Sequence, residues 1–384
     1  MKILMLLENN FPPDTRVENE IHSLQEEGHE VHIACLKTKE NRKINSFGST
    51  IIHRFEINEF VRKSSVGALA FPFYFNFWSK RVNRLFADYK YDAIHVHDLP
   101  LATVGFRIKK RFGARFILDL HENWPALLEI SEHTKTFLGK LLFSVKQWKA
   151  YEKRYLLRAD EVVVVVEEAK ERVVGLGVDE SKVHVVSNTQ NLEEFVFESY
   201  PRPDSKIRFV YGGGVTYHRG LQYVLQAVSL VKSENFEIRI VGTGRYLRKL
   251  RELARELNIE NKICFYGWRD RQELLKLIAE SDVALIPHVK SDHTDTTIPH
   301  KLFQYLYTEK PILASNCQPI ERIINEACGG WIYPFSDIDH LAGVMQQIID
   351  GGYDLKSFAK GRPLVVEKYN WDKDKLKLQA IYHE

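Results

Sequence analysis

Residues 207–241 read IRFVYGGGVTYHRGLQYVLQAVSLVKSENFEIRIV and hold a complete structural unit. An apolar run at Ile207–Tyr211 leads into a glycine turn, an amphipathic stretch follows at Leu221–Val231, and a second apolar run closes the unit at Glu237–Val241. A β-branched run, a helical period and another β-branched run in succession mark a parallel sheet covered by helices. Working outward, the alternation continues through Lys262–Phe265, Val283–Pro287, Pro311–Ala314 and Gly330–Ile332. A helix is expected over Tyr246–Leu257, where Arg, Lys and Glu alternate with Leu at helical spacing. Towards the N-terminus the same pattern occurs a second time. Strands are expected there at Lys2–Leu7, Glu30–Cys35, Ala93–His97, Arg115–Leu120, Glu161–Val166 and Lys182–Val186. The continuous apolar run Val162–Val166 suits a strand buried on both faces. Between the two series, Glu198–Ser205 combines two prolines with mixed polar residues and no hydrophobic period, which places the linker there.

A chain of 384 residues fits two or three units at roughly 150 residues each. Hydrophobic residues make up 44 % and charged residues 27 %, which excludes a disordered, collagen-like or low-complexity chain. The net charge of only +3 gives no support to a dedicated nucleic-acid binder, so no nucleic-acid partner is expected. Cys35, Cys264, Cys317 and Cys328 are scattered without CxxC spacing, which argues against a disulfide framework or a zinc site and fits a reducing, cytoplasmic setting. The opening MKILMLLENNFPPD reads as a first buried strand rather than a signal peptide, because polar residues interrupt its short apolar run. Nowhere do about 18 apolar residues run together, so membrane contact could only be peripheral.

Two segments break the alternation. Residues 60–86 are dense in aromatics between basic clusters, with Phe75, Phe77 and Trp78 at their centre. Residues 133–158 set Lys135, Lys140, Lys146, Lys149, Lys153, Arg154 and Arg158 around Phe137, Leu141, Leu142, Phe143 and Trp148. Aromatics beside cations could lie in a membrane interface on the inner face of an anionic bilayer, or could form a buried aromatic helix pair with a solvated rim.

Several separated segments resemble family 4 of the glycosyltransferases, retaining enzymes that use nucleotide-sugar donors. They are KILMLLENNFPPDTRVENEIHSLQEEGHEV with Asp14 and Arg16, YDAIHVHD, ILDLHENWP, and ADEVVVVVEEAKERVVGLGVDESKVHVVSN ending at Asn188. In the second half come VYGGGVTYHRGLQYVLQAV, IVGTGRYLRKLRELA, CFYGW and TTIPHKLFQYLYTEKPILASN, in the family's order. The resemblance implies an α/β protein of the glycosyltransferase B-type fold, two Rossmann-like domains facing a cleft. Residues 1–200 would form the acceptor domain, joined by a crossover helix over 366–384, and residues 201–365 the donor domain. Fold alone does not assign a function, so the site residues must carry it.

Asp295–Leu306 is the strongest chemical segment. TTIP precedes a helix that begins near Pro299, and a helix start is an anion site to which Lys301 adds a full positive charge. Stabilising the charge on a departing diphosphate is the main catalytic requirement of sugar transfer, and no metal is expected where cations and amides suffice. The family usually has two glutamates here, separated by seven residues; this chain has Thr296 and Gln304. Gln304 can hydrogen-bond a ribose, whereas Thr296 cannot supply a carboxylate's charge. Thr296 and Thr297 could instead be simple helix caps. Resemblance places Ile298 in the donor site with them. The family's Arg and Lys-Gly pattern falls on Gly214 and Arg219-Gly220, so that Arg219 keeps a forked cation for phosphate. Gly212, Gly213 and Gly214 could let the backbone approach the donor, or could be a bare turn. Gly242-Thr243-Gly244 lacks the third glycine of the dinucleotide fingerprint and is weak alone. The Gly267–Arg269 loop, with Trp268, would lie beside a uracil or guanine base by resemblance.

On the acceptor side, His121 ends a predicted strand, where open α/β sheets place ligands, and matches the family's active-site histidine. Glu122 could orient it, and Arg16 belongs to the same side. His95, His97 and Asp98 form an HxHD sequence with both histidines on one strand face. No further ligand group follows at usable spacing, so this reads as strand-end structure. Asp337-Ile338-Asp339 reads as a helix cap rather than a DxD metal motif. The expected reaction is retaining transfer from a UDP- or GDP-sugar to a glycan or lipid-linked acceptor in polysaccharide or glycolipid assembly. A nucleotide-sugar epimerase and a non-catalytic sugar-nucleotide-binding or lipid-binding paralogue are the alternatives.

Overall fold

The computed structural model describes residues 1–37, 46–65, 67–130, 144–192 and 204–383. The chain forms two compact units, residues 1–187 with 372–384, and residues 188–371. Each is a Rossmann-like sheet covered by helices. The expected linker at 198–205 lies mostly outside the described residues, as do Lys135, Phe137, Lys140, Leu141, Leu142 and Phe143.

The first unit has eight strands: β1 (Lys2–Leu6), β2 (Glu30–Leu36), β3 (Ser46–Phe47), β4 (Thr50–Phe55), β5 (Ala93–His97), β6 (Arg115–Leu120), β7 (Glu161–Val164) and β8 (Val183–Val185). Their order is β3-β4-β2-β1-β5-β6-β7-β8, parallel except for the β3–β4 hairpin. Ile3, Leu4, Met5 and Leu6 are fully buried, as are Val163 and Val164, because helices cover both faces of the sheet. The hairpin escaped the sequence reading: its Thr50–Phe55 strand sits near the sheet edge and mixes polar with apolar residues, so it lacks the apolar run that marks the central strands. The final residues pack in this unit, where the Gln379 amide donates to the Ser23 carbonyl at 2.9 Å.

The second unit continues with β9 (Ile207–Gly212), β10 (Phe236–Val241), β11 (Ile263–Gly267), β12 (Val283–Ile286), β13 (Ile312–Ser315) and β14 (Gly330–Tyr333). All six are parallel, in the order β11-β10-β9-β12-β13-β14. Phe209, Tyr211, Leu225, Val228, Ile238 and Met345 lie in its main core. Asp337 caps the helix Ile338–Ile349 by accepting from the His340 amide at 2.9 Å.

The aromatic segment 60–86 divides in two. The helix Phe73–Tyr89 turns Tyr74, Phe75, Trp78, Val82, Leu85 and Phe86 inward. Phe75 stacks on Tyr151 at 5.9 Å, and Trp78 meets Phe55 edge-on at 5.8 Å. Phe75 and Trp78 therefore belong to the core and cannot carry a membrane contact, which corrects the reading of those two positions. The exposed aromatics are Phe60 (70 %), Phe71 (49 %) and Phe73 (50 %), with the Phe60 and Phe73 rings 6.0 Å apart. No helix among the described residues is long and apolar enough to cross a membrane. Trp78→Ala is expected to destabilise the first unit by about 3–5 kcal/mol through the cavity it leaves. Phe73→Ser should stay within about 0.5 kcal/mol. Urea denaturation followed by circular dichroism checks both values.

Candidate functional site

Two clusters of charged side chains stand at the C-terminal strand ends, one in each unit. In the second unit the loop after β9 is shaped by glycine. A Cβ at Gly220, whose φ is 72°, would overlap the Pro287 carbonyl, so this loop lies directly against the loop after β12. That contact brings Arg219 to His288, and the guanidinium NH1 donates to the imidazole Nε2 at 2.5 Å. The same two loops are tied by the Val289 amide donating to the His218 carbonyl at 2.9 Å.

Lys301 is the second residue of the helix His300–Tyr307, whose N-cap, Pro299, supplies no side-chain hydrogen bond. The lysine stem runs inward until Nζ lies 3.7 Å from the centre of the Tyr211 ring, and 2.9 Å from where a Cβ on Gly213 would stand. The φ of 132° at Gly213 lies in the region that favours glycine, and a side chain there would press on the tip of the lysine. Lys301 is 9 % exposed, and its Nζ has no hydrogen-bond partner among the described residues. Tyr211 donates to the Gly214 carbonyl at 2.7 Å, and the Gly212 amide donates to Tyr305 at 2.8 Å, which pins the loop over the lysine. Gly242 and Gly244 pack on this loop from the side. A Cβ on either would overlap a carbonyl oxygen, of Gly213 or of Val215. Their sequence signal is thus explained by backbone packing: the Gly213 amide donates to Val241 at 2.9 Å and the Val215 amide to Thr243 at 2.8 Å.

The charge balance of this cluster is one-sided. Burial and the neighbouring Arg219 hold Lys301 well below the usual lysine range. Burial, then Arg219 and Lys301, hold His288 well below the ordinary histidine value. Burial and Arg219 lower His218 to about 3. Asp295, on the turn before the helix, is paired with Lys290 at 3.0 Å and accepts from the Gln318 amide at 2.8 Å. Thr296 donates to the Asp292 carbonyl at 2.6 Å and Thr297 to the His293 carbonyl at 3.0 Å, so both hydroxyls bond backward into the turn, and the N-cap position belongs to Pro299. Ile298 is buried and its carbonyl accepts from the Asn188 amide at 3.3 Å, while Gln304 reaches Gln190 at 3.5 Å. Trp268 stands 71 % exposed after β11.

In the first unit, Arg16 sits at the start of the helix Thr15–Glu26, which Asp14 caps by accepting from the Val17 amide. The Arg16 guanidinium is buried. It donates to both Asp119 oxygens at 3.0 and 3.1 Å and to the Val186 carbonyl at 2.9 Å, and it pairs with Glu20 at 2.9 Å. Strand pairing sets His97 opposite Asp119, and alternation places His95 on the same face, their rings stacked at 4.6 Å. His95 Nδ1 meets the Tyr382 hydroxyl at 2.7 Å. His121 Nε2 lies 3.2 Å from both Asp119 Oδ2 and His97 Nδ1, and its backbone amide donates to Asp98 at 3.0 Å. Asp98 and Asp119 hold this ring. Neither was singled out as its partner, because only sheet register reveals the pairing; Glu122 follows His121 in a half-buried position.

Burial alone would lower His121, but Asp119 and Asp98 outweigh it and lift the imidazole to about 9. His97 is lowered to about 3 by burial. Burial and the adjacent Asp119 carboxylate push Glu20 up to about 8 against the pull of Arg16, whereas Arg16 and His121 keep Asp119 ionised. The HxHD sequence does have further ligand groups, contrary to the reading from spacing: Glu20, His95, His97 and Asp119 present donor atoms within 4.8 Å of one another. They converge through sheet register and helix packing, which local spacing cannot register. A metal ion there would have to share Glu20 and Asp119 with Arg16, which lies 2.9 and 3.0 Å from them.

A Glu20→Gln variant tests this charge assignment. A carboxyl raised in the folded state gives stability that is complete below its unfolded value of about 4.3 and lost as pH rises through about 8. The melting temperature of Glu20→Gln relative to wild type should therefore be higher at pH 8.5 than at pH 6. A difference that stays the same between pH 6 and pH 8.5 would mean that Glu20 is ionised in the folded state throughout that range.

Two family models match the chain: Glycosyltransferase Family 4 over residues 14–194 and Glycosyl transferases group 1 over residues 193–361. An uncharacterised glycosyltransferase of Methanocaldococcus jannaschii is 25 % identical over 299 residues, covering 74 % of this chain and 73 % of that protein. The lipopolysaccharide 1,6-galactosyltransferase of Escherichia coli is 23 % identical over 51 % of this chain and 54 % of its own length. A putative colanic acid biosynthesis glycosyltransferase of Salmonella typhimurium is 23 % identical over 52 % and 50 %. The chain thus spans about half the length of several curated relatives that it matches. Among solved structures, sucrose-phosphate synthase from Thermosynechococcus elongatus superposes with a TM-score of 0.80 at 16 % identity, over 99 % of this chain and 98 % of that one. Anabaena HepE in complex with UDP-glucose gives 0.74 at 13 % identity, over 100 % and 99 %. At these identities the likeness is one of fold.

Proposed function

The chain belongs to glycosyltransferase family 4, and from that premise we propose that it transfers a sugar, with retention of configuration, from a UDP- or GDP-linked donor to a glycan or lipid-linked acceptor in cell-surface polysaccharide or glycolipid assembly. The observation that carries the donor reading is Lys301: a buried amine without a hydrogen-bond partner among the described residues, beside the Arg219 cation, at an N-terminus whose cap offers no side-chain bond. A buried cation lacking its counter-charge is costly unless an anion completes the site. A diphosphate supplies that anion. Lys301, Arg219 and the helix amides would then stabilise the oxygen that gains charge as the sugar–phosphate bond breaks. With these cations in place the reaction calls on no metal and no cofactor beyond the nucleotide sugar.

His121 enters as a cation held by two carboxylates, which makes it a hydrogen-bond donor to a sugar or acceptor oxygen rather than a base. The departing phosphate oxygen would take the acceptor's proton. The pathway assignment draws on the relatives' names in colanic acid and lipopolysaccharide synthesis.

Thermal shift of the full chain against UDP- and GDP-sugars without added metal tests the donor site. One donor should raise the melting temperature, and Lys301→Ala should abolish the shift; a chain unmoved by every donor would count against transfer. Peripheral membrane contact, if made through residues 60–86, rests on Phe60, Phe71 and Phe73. Changing all three to serine should cut co-sedimentation with phosphatidylglycerol vesicles at least about threefold without lowering the melting temperature. Unchanged sedimentation would remove that segment from consideration.

A further inference from the structure

We propose that seating a diphosphate among Arg219, Lys301, His288 and His218 draws protons from solvent, and that His288 is the residue that positions Arg219 for it. The inference rests on the donor reading above and adds a linkage and a residue to it.

The geometry carries the argument. Two buried nitrogens in this cluster lack hydrogen-bond partners among the described residues, Lys301 Nζ and His288 Nδ1. His288 accepts from Arg219 through Nε2, so its proton must sit on Nδ1, and the neutral tautomer is the one that fits the ion-free cluster. The groups around it are basic on every side. Arg219 and His218 come from the turn after β9, His288 and His293 from the loop after β12, and Lys301 from the helix His300–Tyr307; the His218 and His293 rings meet edge-on at 6.1 Å. The other titratable neighbours include the phenols Tyr211 and Tyr305, which hydrogen-bond the glycine loop, and the Cys317 thiol, which lies 3.8 Å from the His288 carbonyl and which burial keeps protonated. The acids on the adjoining turn are Asp295, already paired with Lys290, and Asp292, which is exposed.

Packed this way, four basic groups cannot all be charged without an anion, since each added cation repels the guanidinium already present. A diphosphate reverses the sign of that interaction. Lys301 and the histidines then gain a partner, bind protons more tightly, and the ligand binds more tightly as pH falls. His288 has a second task. Arg219 faces the site because its NH1 is anchored on Nε2, and without an acceptor there the guanidinium is free to swing away.

The probes are UDP-glucose and GDP-mannose, whose diphosphates are esterified at both ends and do not titrate near neutral pH. Calorimetry of the full chain at pH 8 in Tris, tricine and HEPES reads proton uptake as the dependence of binding enthalpy on buffer ionisation enthalpy. Uptake on the order of one proton is expected, with Kd tightening by up to about tenfold per pH unit below pH 9. His288→Gln retains an acceptor for Arg219 and should bind within about threefold of wild type but take up fewer protons, whereas His288→Leu should bind at least about tenfold more weakly. Binding of either sugar nucleotide with no buffer dependence overturns the proton linkage while leaving the donor reading intact. Equal weakening by the two His288 variants overturns the positioning role. Failure of both ligands to bind overturns this inference and the donor reading together.

Discussion

The second unit depends on basic groups packed together with no acid among them: the half-buried Arg219 guanidinium and the buried Lys301 amine. Lys301 and Arg219 lie among backbone glycines, aromatic rings and neutral histidines, and the acid on the adjoining turn, Asp295, is committed to Lys290. An isolated cation in such surroundings costs several kcal/mol, so the fold must over-determine it. It does so through close backbone contact. Gly220 on Pro287, and Gly242 and Gly244 against the loop that carries Gly213, bring the backbone segments around the lysine into direct contact. The instability is local, and the six parallel strands below it supply the compensating core.

The first unit holds a guanidinium that is fully inside, Arg16, and gives it the opposite surroundings. Arg16 is bonded to Asp119 on both oxygens and paired with Glu20, and the histidines around it remain neutral except His121. Here the acids that face the guanidinium supply its counter-charge and fix the charge of one half-buried imidazole. In such a cluster the carboxylates and imidazoles direct one another's hydrogen bonds. The second unit instead gathers basic groups, Arg219, Lys301, His288 and His218, and the acid beside them, Asp295, is paired with Lys290.

How much of this could be read from the chain follows from what each residue contacts. The double alternation of apolar runs and helical periods was legible because central parallel strands such as Ile3–Leu6 and Val162–Val164 are buried on both faces. The β3–β4 hairpin was not, because an edge strand keeps polar residues. The sequence pointed to Lys301 from its place at a helix start and to Arg219 from the resemblance to the family's Arg and Lys-Gly pattern, and the structure brings both to one loop cluster. Asp119 and Glu20 were invisible as partners of His95 and His97, since register and helix packing join them across long stretches of chain. Phe75 and Trp78 were ambiguous for a different reason: an aromatic beside lysines has the same composition whether its ring points at lipid or at Tyr151 and Phe55. His288 carried no signal at all, because nothing in PHVKSDH reveals that Gly220 will press the loop against Arg219.

The choice of histidine at that place has a physical logic. A lysine or arginine beside Arg219 would add a permanent charge to a dry cluster, and a carboxylate would neutralise the guanidinium and close the site to phosphate. A neutral imidazole does neither. It offers one acceptor to hold Arg219, keeps a proton on its far nitrogen, and can change charge when a ligand changes the local potential. Lys301 shares that property through burial against Tyr211, so the cluster combines one fixed cation with groups whose charge follows occupancy. Such a site is less repulsive when empty than one built from fixed cations, and becomes more attractive only when an anion enters.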